Sequence, residues 1–395
     1  MNQMNSVFKG TLLVAGTSIG GGMLALPILT GIAGFIPSIL VYLLCWLFMA
    51  STGLLLLEVC FWMEADANIS SMAERTLGRP GKWAATILYL FLFYCLTLAY
   101  IVGCGDLAVE LSQNTIPEWA GSLIFVALFA PLIFAGARVV GRINVGLMIG
   151  LAVSYFAFVW LGYRHINTEL LLNRNWSAIT MAFPIAFIAF AYQGIIPTLV
   201  SYMNRDIVKI KSAILLGTFI PFIVYVIWQG LILGIVPVDA PGGLLDALKL
   251  GENAVQPLKI FLQSPNVYIV GQFFAFFALI TSFLGVTLGL LDFLADGLNI
   301  KKTAKGKLLL CGLILIPPLL FAFTYPGIFL MALDYAGGFG SALLLGFLPI
   351  LMVWSGRYRL HLPSAFHLPG GRITLTILAL FVVFELLCQV GLMTL

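Results

Sequence analysis

Glycines crowded where a helix should run are the first residues of this chain whose pattern points to chemistry. The stretch Gly16-Thr-Ser-Ile-Gly-Gly-Gly-Met-Leu-Ala-Leu-Pro27 lies inside an apolar run from about Val7 to Gly34. Gly16, Gly20, Gly21 and Gly22 each cost a helix about 1 kcal/mol relative to alanine, and Pro27 follows within two turns. That pattern predicts an unwound break. In lipid, irregular backbone survives only where it is buried in protein or lines a cavity. A break leaves free N–H groups on one half-helix and free C=O groups on the other, with the half-helix dipoles adding to both poles. A zwitterion fits them, its carboxylate on the N–H groups of Gly20, Gly21 and Gly22, with Thr17 or Ser18 helping and Ile19 and Met23 at the edges. Close packing through Gly16-x-x-x-Gly20 is the competing reading. A dinucleotide loop is excluded, because it needs a preceding strand and a soluble βαβ unit.

A second interruption is Phe190-Ala-Tyr-Gln-Gly-Ile-Ile-Pro197, where Gly194 and Pro197 break an apolar run as Gly20–Gly22 and Pro27 break the first. Carboxylates inside apolar runs come next, since a charge in the membrane is expensive and reads as functional. Asp106 and Asp296 fall near run ends, within reach of water. Glu58 and Asp292 lie deeper and need a partner or a proton; Asp334 and Glu385 sit in the last two runs. His165, His361 and His367 are all in or beside loops, so a proton relay would have to use carboxylates. Glu58, flanked by Leu54–Leu57 and Val59, and Asp292 are therefore the expected coupling residues, Glu58 first. The adjacent hydroxyls of Thr281 and Ser282 could ligate Na⁺ together with carbonyls of the first break, or bond back to their own helix. No Walker motif, metal-ligand cluster or nucleophile–base spacing occurs, which leaves no enzymatic reading and no cofactor.

The elements that position these residues follow from composition. Of 395 residues, 61% are hydrophobic and 9% charged, a balance that no soluble domain has. Runs of about 20 apolar residues, enough to span a bilayer, fall near 8–30, 36–62, 83–109, 119–137, 143–163, 178–200, 213–236, 267–291, 308–324, 329–354 and 373–393. With the N-terminus cytoplasmic, sixteen of the 20 Lys and Arg residues lie in inside loops, leaving Arg164, Arg174, Lys249 and Lys259 outside. Eleven spans put the C-terminus on the periplasmic side. The segment Leu244–Leu262 reads as a short amphipathic lid. Trp46 and Trp228 lie in mid-span and need packing partners. The six cysteines fall in apolar runs and read as free core thiols, and the N-terminus lacks the features of a cleaved signal peptide. Span one runs in to out and span six out to in. Five spans per repeat force the second copy upside down, the arrangement in which paired broken helices mark a binding site at the midplane.

Four pieces carry a family resemblance: GTSIGGGMLALP at Gly16–Pro27, LLLLEV at Leu54–Val59, GIIP at Gly194–Pro197 and SFLGVTLGLLDFLAD at Ser282–Asp296. Together they resemble the bacterial hydroxy/aromatic amino acid permeases over almost the whole chain. The resemblance implies an all-α polytopic membrane protein of LeuT type. Its 5+5 inverted repeats would have broken helices 1 and 6, with an eleventh helix added. The division is a single transporter domain over residues 1–395, with repeats near 8–163 and 178–354 and the extra helix near 373–393. It also implies proton-driven import of tyrosine or a related aromatic amino acid across the inner membrane. On that reading the substrate ammonium faces carbonyls near Ile19 and Phe190–Ala191. Tyr192, Gln193 and Gly194 then surround the ring, with Gln193 in reach of a phenolic O–H. The family commonly has Phe-His-Gly where this chain has Tyr192-Gln193-Gly194. A Na⁺-coupled amino acid symporter on the same fold and a passive channel are the alternatives. The partners implied are the amino acid, the coupling ion and membrane lipid.

Overall fold

An apolar run of bilayer length satisfies its own backbone as a helix, and the chain folds accordingly. A computed structural model describes residues 3–63, 67–113, 115–262, 265–325, 327–363 and 366–393. Ten helices in it are long and apolar enough to cross a membrane. An eleventh span is the pair Ser6–Ser18 and Gly22–Gly31, bent by 56° at the break. Spans two to five are Phe35–Phe61, Ile69–Leu111, Glu118–Ala135 and Ala137–Gly162. Span six is assembled from Trp176–Ala182, Phe183–Ala189, Gln193–Ile195 and Ile196–Tyr202. Spans seven, eight, nine and eleven are Ile207–Ile235, Pro265–Gly297, Ala304–Thr324 and Gly371–Met393. Span ten runs through Phe329–Tyr335, a π-helical stretch Ala336–Phe347, and Leu348–Tyr358.

Span three starts earlier than its apolar core because a short arm is joined to it at Gly78, whose φ of +78° suits a residue without Cβ just before Pro80. Gly136, at φ +93°, turns span four into span five in a single residue. Asp206 caps span seven by accepting from the Lys209 N–H at 3.2 Å. Its hydrogen bond to the Lys209 side chain holds the carboxyl below its ordinary value.

Spans one, two, six and seven pack on one another, and spans three, four, five, eight and nine form the second layer. Spans ten and eleven lie against spans six, two and three. Trp46 stacks on Phe219 and Phe222 and donates to Thr218 Oγ1, while Trp228 packs on Phe158 and Phe274 and donates to the Met23 carbonyl. A buried knot ties spans one, two and seven together. In it Tyr42 donates to Gln229 Oε1 at 2.7 Å, and Gln229 Nε2 donates to Thr30 Oγ1 at 2.8 Å and Ser38 Oγ at 3.3 Å. The segment Leu244–Leu262 holds two short helices, Leu244–Leu250 and Leu258–Phe261, and between them the Ala254 N–H donates to the Leu24 carbonyl at 2.9 Å.

Candidate functional site

The first break is where the glycine run predicts it. The helix stops at Ser18 and resumes at Gly22, and the Met23 and Leu24 N–H groups close it onto the Gly20 and Gly21 carbonyls at 3.1 Å each. Close packing accounts for two of the glycines. A side chain on Gly20 would collide with Ser282, and one on Gly21 with Tyr100 and Leu279. The Gly21 N–H, expected to be open, donates to Ser282 Oγ at 2.9 Å. Among the described residues no hydrogen bond is made by the N–H of Gly20 or Gly22, which leaves two of the three expected donors open. Thr17 spends its hydroxyl on the Leu13 carbonyl at 2.7 Å, whereas the buried Ser18 hydroxyl has no partner. Ser18 is therefore the free one of the two.

The second break adjoins the first: a Cβ on Gly22 would stand 3.5 Å from the Ala189 Cα. Here the expected framing of a ring by Tyr192 and Gln193 is corrected. Both are buried and both turn to span two. Tyr192 donates to the Met49 carbonyl at 3.3 Å, into space that Gly53 leaves by lacking a side chain. Gln193 Nε2 donates to Thr52 Oγ1 at 3.1 Å and contacts Met49, and its Oε1 accepts from the Tyr192 N–H at 3.0 Å. A fully buried amide must satisfy both ends, and span two offers the partners at that height. Ala191 is half-buried and Gly194 exposed, with open space where a side chain would stand.

Two tyrosines complete the site. Tyr225 of span seven points its O–H at the Ser18 carbonyl at 2.7 Å and the Ala189 carbonyl at 2.8 Å, one from each broken helix. Tyr100 of span three lies against Gly21 and Ser282. Sequence reasoning passed over both. The signal available was a phenol in mid-span, which needs a hydrogen-bond partner when buried.

The carboxylates are placed differently from the expectation. Glu58 is 0% exposed, but it is paired. Arg357 Nε donates to its Oε1 at 2.7 Å and Nη2 to its Oε2, His367 Nδ1 lies 2.9 Å from Oε1, and the Leu368 N–H donates to Oε2 at 3.4 Å. The leucines beside Glu58 in sequence gave no sign of this partner, a guanidinium that grips both carboxylate oxygens. Asp292 is not deep: its side chain is 57% exposed and pairs with Lys302 at 2.7 Å. Thr281 donates to the Phe277 carbonyl at 2.8 Å, the backbone fate, while Ser282 does reach the first break but serves the Gly21 N–H.

Two facing broken helices inside an inverted arrangement of five and five spans, with one span added, define a membrane transporter of the LeuT type. The crystal structure of MhsT in complex with L-phenylalanine matches this fold with a TM-score of 0.63 over 98% of both chains, at 14% identity. The tryptophan/tyrosine permease family model matches residues 3–389, and the chain belongs to that family. It is 33% identical to tyrosine-specific transport system 1 of Haemophilus influenzae, over 95% of this chain and 94% of the relative. It is 28% identical to the tryptophan-specific transport protein of the same organism, over 98% and 96%. It is thus a multi-pass inner-membrane amino acid permease, not an enzyme.

Proposed function

We propose that this protein is a secondary active symporter that imports an aromatic amino acid, tyrosine, on the proton gradient, with its N-terminus cytoplasmic and its C-terminus periplasmic. Tyr225 carries the reading. Its single O–H proton lies between two carbonyls, one from each broken helix, so one acceptor is always underserved. An ammonium supplies three donors and answers that deficit. The substrate carboxylate then meets the open N–H groups of Gly20 and Gly22 and the unpartnered Ser18 hydroxyl, and the ring runs past Ala191 toward the open space at Gly194. Tyr192 and Gln193 hold the second break to span two rather than touching the ring.

Tyrosine is favoured over tryptophan by the higher identity to the relative named for tyrosine, 33% against 28%. Proton coupling is favoured because Thr281 and Ser282 already serve a carbonyl and an N–H. Rocking of spans one, two, six and seven against three, four, eight and nine would expose the site alternately, with the Ala254–Leu24 contact holding the lid on the closed side. Uptake of each of the twenty amino acids into proteoliposomes, under separately imposed H⁺ and Na⁺ gradients, tests this. Tyrosine should accumulate under a pH gradient alone. Accumulation under Na⁺ alone, or downhill flux without counterflow, would overturn it.

A further inference from the structure

Glu385, in span eleven, is a buried carboxylate with no cation beside it among the described residues. It is 0% exposed, and neither of its oxygens has a hydrogen-bond partner. Its charged neighbour is another acid, Asp334 of span ten. Gln389, one turn further along span eleven and 1% exposed, donates from Nε2 to Asp334 Oδ2 at 2.8 Å. Asp334 Oδ1 and Gln389 Oε1 are likewise buried and unpartnered. Three side chains thus gather four idle acceptor oxygens around one amide donor. The missing ingredient is a proton on an oxygen.

Among the described residues the surroundings supply no counter-charge. Span two contributes Cys45 and span eleven its own Cys388, both of which feel Glu385. Between spans six and eleven, Phe187 stacks on Phe381, and Phe183 meets Phe381 and Phe384 edge-on. The π-helical stretch Ala336–Phe347 holds no titratable side chain. At the far end of spans ten and eleven, Arg357 is committed to Glu58, and Arg372 lies on the Tyr358 ring. An unpaired charge so placed takes up a proton rather than stay ionised.

We propose that Glu385 and Asp334, the latter held by Gln389, are the proton-binding site of this transporter. The proposal rests on the proton-symport reading above. Loading adds one proton to a Glu385 oxygen, which turns one idle acceptor of the cluster into an O–H donor for another. Release returns the proton and leaves two acids in repulsion. The pair adjoins an element suited to transmit that change. Asp334 lies two residues before the π-helical stretch, a rare hydrogen-bonding pattern concentrated at functional sites. Gln389 lies against Gly338 in that stretch with no room for a side chain between them. Gly337 in turn presses on the Pro184 carbonyl, and Ser341 donates to the Phe187 carbonyl at 3.4 Å. Pro184 and Phe187 belong to the half-helix Phe183–Ala189, which ends at the second break. Protonation at Glu385 is therefore linked, through contiguous packing, to the helix that presents the Ala189 carbonyl.

Glu385→Gln keeps shape and polarity but neither takes up nor releases a proton, and Asp334→Asn is the companion. In proteoliposomes both should retain exchange of labelled tyrosine at equal concentrations and lose accumulation driven by a pH gradient. In the infrared spectrum of the purified protein, the wild type should show a protonated-carboxyl C=O band that Glu385→Gln removes and Asp334→Asn shifts. Undiminished accumulation in Glu385→Gln, or a band indifferent to it, overturns the proposal while leaving the symport reading intact. Loss of exchange along with accumulation in both variants makes the pair structural and also overturns it. Wild-type accumulation under Na⁺ alone defeats the symport reading itself. The infrared band then decides separately whether Glu385 holds a proton.

Discussion

Two glutamates in this protein are both 0% exposed, and they live in opposite electrostatic worlds. Glu58 is clamped by a guanidinium from span ten and approached by an imidazole and an N–H from the linker after it. Glu385 has an acid as its charged neighbour, and the amide one turn away donates to that acid instead. Burial alone therefore does not say what a carboxylate is for. A charge that is matched holds two elements together in one geometry. A carboxylate that is unmatched is left to bind something. The first ties span two to the 10–11 corner and reads as a latch; the second is free to exchange a proton.

Substitutions that remove one member of each arrangement should expose the contrast, and the largest effect belongs to Glu58. Arg357→Met strips that buried carboxylate of its guanidinium and leaves it an exposed imidazole and one N–H, which should cost about 3–5 kcal/mol of stability. Thermal or denaturant unfolding in detergent reads it out, and the double variant Glu58→Met/Arg357→Met should regain most of the loss. If the single variant unfolds like wild type, the pair is not the latch described here. Next, Gln389→Leu takes away the donor on Asp334 Oδ2 and should cost about 1–3 kcal/mol, the penalty of an orphaned buried acceptor. His367→Ala should cost less, at most about 1 kcal/mol, because the imidazole is 54% exposed and water screens its contact with Glu58. Smallest of all is Glu385→Met. With no cation to strand, its effect should stay within about 1 kcal/mol and could be stabilising, since apolar replacement of an unsatisfied buried group is tolerated. A loss as large as that of Arg357→Met would mean that Glu385 has a counter-charge after all, and the contrast would collapse.

The site shows the same division on a smaller scale. That a break occurs at Gly20–Gly22, and another at Phe190–Gly194, was legible because both depend on local backbone preference. That the Gly21 N–H is taken by Ser282, that Gln193 turns to Thr52, and that Tyr225 bridges the breaks was not legible. Each of those bonds joins residues more than 30 positions apart. Thr17 and Ser18 were equivalent as hydroxyls on paper. Helix rotation gave one the Leu13 carbonyl and left the other idle.

Length, hydropathy and the charge asymmetry of the loops determined a polytopic membrane protein of eleven spans. The glycines and prolines determined that spans one and six are broken, and the quoted motifs pointed to the permease family. These are properties that a segment carries alone, because lipid forces any apolar run of bilayer length into a helix whatever surrounds it. Tertiary structure decided which charges are matched. Leucines adjacent to Glu58 along the chain said nothing about Arg357, 299 residues away, and the apolar run around Glu385 did not disclose Asp334 on the neighbouring span. A side chain's protonation and reach are set by whatever the packed helix faces present to it. Those faces are fixed only when all the spans have come together.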